Sequence, residues 1–420
     1  MRTLKFLTLF AFVATLAVGC SKEDLNKQAN QDSNMATKSM PKPCKIGLDE
    51  NGNEMKPAEL SAELYAAAMA TKADQVYTIP VVFHIFGASQ GSGTLNAARI
   101  EKVLTWINND YNGIKNSGDK ENFSTIAPAR DEFVGYLPVK FVLAKNYSDG
   151  TPIKKDDKIY GGKPSATSTY KGTASGDCSV IIYSASHPLA KAGPGVYDSQ
   201  TTNEMKKVAW DNKMYMNVYI TNDLYADGYT NNSGVAWYPD ATMTNNNIAR
   251  VVYNGAYLPG GTYYDKDFTS VITHEFGHFL NLAHTFNENG SDKCNSSLAD
   301  GGSYGDQVKD TPQMENSSGS ASNGWQQNTA YYGHGKKNCK GEVIDFGNFM
   351  NYGVYCNFTQ GQVARMKAAL QAYGRKSLWQ QSNLDKVLGV GATDPTDPTV
   401  KDPATMGDKL DALDKAVSGK

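Results

Sequence analysis

The chain has 420 residues, and its 41 Lys plus Arg against 43 Asp plus Glu give a net charge of −2. This balance provides no basic surface for nucleic acid, which is therefore excluded as a partner. Hydrophobic residues make up 40% of the chain, with 24 Tyr, 15 Phe and 5 Trp, so the sequence can bury a core and wholesale disorder is excluded.

The N-terminus reads as an export signal. Two basic residues precede the apolar run Phe6–Val18, which is too short for a membrane span of about 20 residues. The run ends in small residues before Cys20, as in a bacterial lipobox; an ordinary signal peptide ending near a cysteine is the alternative. We expect residues 1–19 to be a lipoprotein signal peptide and Cys20 to be the lipid anchor. The protein would then be an exported bacterial lipoprotein at the outer membrane or cell surface, touching the membrane through this lipid only.

Composition divides the rest of the chain into three parts. Residues 20–75 are polar and weakly periodic, which predicts a tether and pro-segment. Residues 76–376 carry the strong patterns of a folded domain. Residues 377–420 contain a stiff Asp-Pro-Thr-Asp-Pro run and are predicted to be a linker and tail.

Within the folded part, strand and helix patterns alternate. Tyr77–Phe86 is β-branched and aromatic and predicts a strand, and Val139–Ala144 and Met214–Ile220 predict two more. Asn96 is placed to cap a helix whose apolar residues lie on one face and extend to Tyr111. This order predicts an α+β fold with a mixed sheet backed by helices.

A second helix is predicted near the C-terminus of the domain. Thr359 and Gln362 have the spacing of a capping box. We expect Tyr373 to face inward with the other apolar residues, and Gly374 to end the helix.

Three of the six histidines lie in the segment His274-Glu-Phe-Gly-His-Phe-Leu-Asn-Leu-Ala-His284. On a helix, His274 and His278 share one face and can bind one cation. Glu275 is placed to act as general base beside a zinc-bound water. Three histidines with an open fourth position are typical of a catalytic zinc site, whereas a lone histidine is more often structural.

His284 requires the chain to reverse direction. On a continuous helix it would lie about 15 Å further along the axis than His274, too far to bind the same ion. The helix must therefore end between them, at a residue with left-handed backbone. Glycine adopts this conformation at little cost, and Asn281 does so for roughly 1 kcal/mol.

This segment resembles the zinc signature HExxHxxGxxH of metzincin metallopeptidases, departing from it at Asn281. The following Thr-Phe makes it similar to the pappalysin (cytophagalysin) family. Asn348–Tyr352 resembles that family's Met-turn, and Gly305–Pro312 its GDxVxDTP segment. The resemblance covers about residues 77–373. It implies a twisted mixed sheet with an antiparallel edge strand, two long helices, and an irregular C-terminal subdomain with a Met-turn and a C-terminal helix.

The resemblance also implies roles for individual residues. His274, His278 and His284 would bind zinc, and Glu275 would be general base and proton shuttle. Met350 would form the apolar floor beneath the histidines, and Tyr352 would bind zinc or stabilise the oxyanion, unless it is a packed core residue. The exposed edge strand that pairs with substrate would contain the residues Gly234, Val235, Ala236 and Trp237.

The cysteines and acidic residues leave alternatives open. Cys44 resembles a cysteine switch that blocks the zinc; the alternative is a disulfide with Cys178 or Cys356. Disulfides near the Met-turn are implied by the resemblance, with Cys294–Cys339 first and Cys339–Cys356 as the rival. The family often binds calcium where Asp306 and Asp310 lie, although two carboxylates on a solvated loop often bind nothing.

The function expected from these patterns is that of a monomeric zinc endopeptidase acting on extracellular proteins or peptides. Two alternatives remain: a non-catalytic surface lipoprotein that binds peptides or glycans on the same fold, and a zinc hydrolase of a non-peptide amide.

Overall fold

A computed structural model of the chain describes residues 45–49, 52–71, 75–90, 93–114, 134–258, 271–285, 306–308, 310–311, 336–337, 343–344, 348–350 and 357–389. All of them belong to one compact unit. No helix in these stretches has the length and apolarity needed to cross a membrane.

A mixed ten-stranded sheet organises the fold. Its strands are β1 (Lys45–Ile46), β2 (Tyr77–Phe86), β6 (Val139–Leu143), β7 (Lys158–Tyr160), β8 (Lys163–Pro164), β9 (Gly172–Gly176), β10 (Cys178–Tyr183), β11 (Met216–Ile220), β12 (Gly234–Ala236) and β13 (Val251–Tyr253). Short pairs outside this sheet involve β3 (Ser89–Gln90), β4 (Gly93–Thr94), β5 (Val134–Gly135), β14 (Lys336–Lys337), β15 (Val343–Ile344) and β16 (Phe358–Thr359).

The strand order is β1-β12-β13-β11-β2-β10-β9-β7-β8, and β6 pairs with the first half of β2. β13, β11, β2 and β10 are parallel neighbours, whereas β12 is antiparallel to β13. The predicted mixed sheet with an antiparallel strand near its edge is therefore confirmed.

Eight helices are described. They are α1 (Ala62–Met69), α2 (Ala97–Tyr111), α3 (Pro188–Ala192), α4 (Ser199–Lys206), α5 (Ala241–Asn245), α6 (Val271–Phe279), α7 (Gln360–Ala369) and α8 (Gln381–Val387), with short 3-10 turns at Gly255–Tyr257 and Lys376–Trp379. The predicted caps are present: the Asn96 side chain accepts from Arg99 N–H, and Thr359 with Gln362 forms a capping box.

The core lies on both faces of the sheet, and β2 is therefore buried along its whole length. One face of β2 packs with α2, α6 and α7, and Val82 and Phe86 lie in a second cluster on the other face. Side chains of a strand alternate between faces, so a strand covered on both sides is apolar throughout. The helices of the first cluster are the ones that carry the candidate site.

Two expectations for the C-terminal part were wrong. Helix α7 ends at Ala369, and Tyr373 is 53% exposed, with its hydroxyl donating to Asn245. The predicted linker and tail from residue 377 includes the folded helix α8, in which Leu384 and Val387 are buried. Helix α8 has few apolar residues among many polar ones, so its sequence shows no clear helical pattern. Residues 390–420 lie outside the described part.

Candidate metal centre

Helix α6 carries the first half of the site. Ile272, Phe276 and Phe279 are buried in the core, which fixes the orientation of the helix. The helix then ends as predicted, because Asn281 adopts a left-handed conformation with φ +74°. The chain reverses direction there and brings His284 back toward the helix.

The three histidines converge on one point. Nε2 of His274 lies 3.0 Å from Nε2 of His278 and 3.0 Å from Nε2 of His284, and the third separation is 3.2 Å. All three side chains are buried. In the described part of the chain, they are the one group of three or more His, Cys, Asp or Glu side chains close enough to share a metal ion.

Two of the imidazoles are oriented by backbone carbonyls. His274 Nδ1 lies 2.5 Å from the Phe349 oxygen, and His278 Nδ1 lies 2.6 Å from the Leu282 oxygen. A carbonyl accepts, so each Nδ1 carries the proton and each Nε2 presents a lone pair to the centre. Burial lowers the pKa of both imidazoles well below the ordinary value, and the neighbouring histidines lower it further. Both are therefore neutral near pH 7.

This donor set fits zinc. Two imidazole nitrogens bound at about 2.0–2.1 Å with tetrahedral angles would be roughly 3.3–3.4 Å apart, close to the separations seen here. The Nε2 lone pairs of His274 and His278 face one another, and a cation between them relieves the repulsion.

Glu275 lies beneath strand β12. A Cβ built on Gly234 would stand 2.2 Å from Glu275 Oε1, so the absence of a side chain at this position makes room for the carboxylate. Glu275 is fully buried and precedes His278 on the same helix. The structure thus brings the proposed base and the histidines to one place.

Met350 packs against the same helix. A Cβ on Gly277 would lie 2.4 Å from Met350 Sδ, so the methionine side chain packs directly against α6. Gly277 lies between the two helical histidines in the sequence. Its carbonyl accepts from Thr285 N–H at 3.1 Å. Asn348 and Gln362 exchange side-chain amide hydrogen bonds that fix the turn to α7.

The predicted exposure of the substrate strand was wrong, because β1 covers its outer edge in this structure; the assignment of these residues to substrate binding stays a prediction. Residues 234 to 237 are all buried, the strand ends at Ala236, and its outer side pairs in parallel with β1: Lys45 lies opposite Val235 and Ile46 opposite Ala236. Trp237 Nε1 donates to the Leu48 carbonyl at 3.1 Å. A strand of two residues in a polar segment gives no recognisable sequence pattern, so its pairing could not be foreseen.

The two candidate calcium ligands contact protein donors. Asp306 accepts from Thr311 Oγ1 at 2.6 Å and from Val308 N–H at 3.1 Å, and burial raises its pKa to about 7. Asp310 accepts from Thr359 Oγ1 and Gly361 N–H, both at 2.7 Å, at the start of α7. A carboxylate at this end of a helix is stabilised by the helix dipole. The calcium site stays a prediction.

Several predicted residues lie outside the described part of the chain. They are Cys20, Cys44, Cys294, Cys339, Tyr352 and Cys356. Cys178 is a buried free thiol, so the alternative disulfide between it and Cys44 is not formed in this structure.

Arg365 contacts the site without having been assigned a role from the sequence. Its Nε donates to the Asn281 carbonyl at 2.8 Å, and its Nη2 to the Ala58 carbonyl at 3.2 Å. Its backbone partners could be seen only in three dimensions.

Comparisons with known proteins show which proteins the chain is similar to. Residues 199–371 match the family model for peptidase M43, pregnancy-associated plasma protein-A. An extracellular metalloprotease of Arthroderma otae is 31% identical over 147 residues, 33% of this chain and 46% of that protein. One from Arthroderma benhamiae is 35% identical over 121 residues, 28% of this chain and 34% of that protein. The match therefore spans less than half of these relatives.

A solved structure, a promirolysin mutant of Tannerella forsythia, aligns with 78% of this chain and 91% of that chain, at a TM-score of 0.51 and 18% identity. Its likeness shows the fold, a mixed α+β architecture with a mixed sheet, as expected. The resemblance to the pappalysin family is likewise confirmed, with the family model covering residues 199–371.

Proposed function

We propose that the chain is a zinc-dependent endopeptidase that cleaves extracellular proteins or peptides. The observation that carries this proposal is the convergence of three Nε2 atoms within 3.2 Å of one another, with Glu275 next to His274 on the same helix. The family match and the relatives named extracellular metalloproteases support it.

In this proposal His274, His278 and His284 hold the zinc ion. When bound, zinc would supply Lewis acidity, polarising the scissile carbonyl and lowering the pKa of water. Glu275 takes a proton from the attacking water and then delivers it to the leaving amine. Its buried position beneath Gly234 excludes bulk solvent from the carboxylate.

Met350 and Tyr352 have supporting roles in the proposal. Met350 is buried against α6 and acts as an apolar floor that keeps the helix, and with it the histidines, in place. Tyr352 follows two residues later and, by the resemblance, its hydroxyl stabilises the developing oxyanion.

The N-terminal segment, defined here as residues 45–71, acts as a pro-segment in this proposal. Strand β1 uses the outer hydrogen-bonding edge of β12, which a substrate backbone would need for strand pairing. One strand edge accepts one partner at a time. The segment must therefore leave before an extended substrate can bind along Val235 and Ala236.

A cleavage assay tests the proposed function. The protein would be incubated with a peptide library, intact and after proteolytic removal of its N-terminal segment, with and without a chelator. We expect cleavage that increases after removal of the segment, stops with chelator and returns with zinc. A zinc-loaded, trimmed protein that cuts no peptide would contradict the proposal.

The same assay separates the two alternatives. A non-catalytic lipoprotein would bind library peptides or glycans without cutting them. A hydrolase of other amides would leave peptides intact but release amine from an N-acylated sugar or a cell-wall stem peptide. The intact set of three histidines and Glu275 favours hydrolysis over binding alone.

The proposed location is outside the cytoplasm, anchored by lipid on Cys20. The extracellular relatives support export. Incorporation of labelled fatty acid in the producing cell, and its loss in Cys20→Ala, tests the anchor. A secreted, unlabelled wild-type protein would indicate an ordinary signal peptide instead.

A further inference from the structure

Asn281 holds the N-terminal segment by a two-point contact. The Ala58 N–H donates to Asn281 Oδ1 at 2.7 Å, and Asn281 Nδ2 donates to the Ala58 carbonyl at 2.9 Å. The side-chain amide thus satisfies both backbone groups of one residue, as a neighbouring strand would. Asn281 is fully buried.

Arg365 completes this contact. Its guanidinium bridges the two residues, donating from Nε to the Asn281 carbonyl and from Nη2 to the Ala58 carbonyl. Ala58 therefore has three hydrogen bonds to the catalytic part of the chain, all of them through its backbone. Pro57 fixes its own φ and restrains Lys56 to extended conformations, which reduces the entropy lost when the segment docks.

Two further contacts flank this one along the segment. On its N-terminal side, β1 pairs with β12, and the Trp237 indole donates to Leu48. On its C-terminal side, α1 packs on α7. The segment is therefore held at three places on the folded domain, and the contact at Asn281 is the middle one.

The choice of asparagine at this position has a specific consequence. Glycine would adopt φ +74° without strain, but it has no side chain to satisfy Ala58. Among residues with a side chain, asparagine best tolerates the left-handed conformation and also offers a donor and an acceptor side by side. Compared with a glycine at this position, Asn281 has a small backbone strain but makes two hydrogen bonds to the segment.

We propose that Asn281 is a docking residue for the chain's own N-terminal segment, and that the segment remains bound after the chain is cut between Thr71 and Gln75. The binding surface comprises the outer edge of β12, the Asn281–Arg365 pair and the face of α7. If the proposed peptidase function holds, on which this consequence rests, cutting alone does not activate the protein: the fragment must also dissociate or be degraded.

The test uses the full chain with a site for a sequence-specific protease in place of residues 72–74. All variants carry Glu275→Ala, so that self-digestion cannot remove the fragment and the result does not depend on peptidase activity. After cutting, gel filtration separates free from bound fragment, and mass spectrometry follows its dissociation over time. Wild-type Asn281 should retain the fragment. Asn281→Gly should release it faster by on the order of ten- to thirtyfold, the effect of two lost hydrogen bonds.

Two further variants control the test. Asn247→Gly makes the same change at another left-handed residue, φ +57°, whose side chain accepts from Asn212; it should release the fragment at the wild-type rate. Ala58→Pro removes the donor from the segment and leaves the catalytic part unaltered; it should also accelerate release, and it keeps the test decisive if Asn281→Gly does not fold. Immediate loss of the wild-type fragment, or retention in both Asn281→Gly and Ala58→Pro as long as in wild type, would overturn the proposal.

Discussion

Gly234 and Glu275 are in such close contact that a single methyl group between them would not fit. A Cβ on Gly234 would lie 2.2 Å from Glu275 Oε1 and 2.5 Å from its Cδ. Gly234 is the first residue of β12, and Glu275 is on the helix below. Strand β12 thus limits the position of the carboxylate proposed as general base.

Gly234→Ala should therefore displace the Glu275 carboxylate. We expect kcat for peptide cleavage to fall by about 10-fold or more, with zinc content unchanged, because a misplaced base loses most of its contribution to proton transfer. Rate measurements together with metal analysis would check this. In a Glu275→Ala background, the space is vacant and Gly234→Ala should have little further effect on stability.

Gly176→Ala serves as the matched control. It also adds a methyl group to a strand glycine, but its Cβ would meet the Cβ of Ala97 at 3.1 Å, away from the histidines. It should leave kcat close to wild type. Equal losses in the two variants would mean that Gly234 acts through strand stability, not through Glu275.

Glu275→Ala should abolish turnover while leaving zinc bound. The three histidines do not depend on the carboxylate for their orientation, because carbonyls of Phe349 and Leu282 orient two of them. Loss of a general base typically lowers rates by about 10²–10⁴-fold. Zinc analysis and a peptide-cleavage assay would measure both properties, with the exposed Glu101→Ala as control. Full activity of Glu275→Ala would refute the assignment.

Removal of metal should destabilise the folded chain. Without a cation, three buried imidazoles face one another through Nε2 at 3.0–3.2 Å. A ligand that binds only the folded state at about 1,000 times its Kd adds roughly 4 kcal/mol of stability. Calorimetry with and without chelator would show this as a lower melting temperature, which zinc restores and magnesium does not. A melting temperature insensitive to chelator and zinc would contradict metal binding at this site.

Local sequence patterns predicted the elements that are determined by residues close to one another in the chain. Strand β2 has the predicted ends, Asn96 caps α2, and Asn281 adopts the left-handed turn that His284 requires. Each of these depends on neighbours in the chain. The convergence of the three histidines followed from the same turn.

Contacts between distant parts of the chain could not be predicted in this way. Pairing of β1 with β12 joins residues far apart in sequence, and the polar segment around Lys45 shows no strand periodicity. The close approach of Gly234 to Glu275 likewise depends on how the sheet crosses the helix. Hydrogen bonds from Arg365 to two carbonyls leave no trace in a sequence, because any residue supplies the acceptor.

Asp306 gives the chain a pH dependence that distinguishes a buried carboxyl group from a calcium ligand. Burial raises its pKa from 3.8 to about 7 in the folded state. The folded state then binds the proton more tightly than the unfolded state. The contribution of Asp306 to the free energy of unfolding is therefore most favourable below pH 4 and is lost as pH rises to about 7. Asp306→Asn keeps an acceptor for Thr311 and Val308 without the charge. It should be more stable than wild type at pH 8 by on the order of 2–4 kcal/mol, and equal to it near pH 4.

Denaturant unfolding at pH 4, 6 and 8 in the presence of a calcium chelator would measure this difference, with the exposed Asp211→Asn as control. A wild type whose stability does not fall between pH 4 and 8, relative to Asp306→Asn, would contradict it. Added calcium then decides the metal prediction. If Asp306 binds calcium, its carboxylate is ionised in the folded state, so calcium should raise the stability of wild type at pH 8 and have no effect on Asp306→Asn. If calcium changes neither, the carboxyl group serves only as a hydrogen-bond acceptor for Thr311 and Val308.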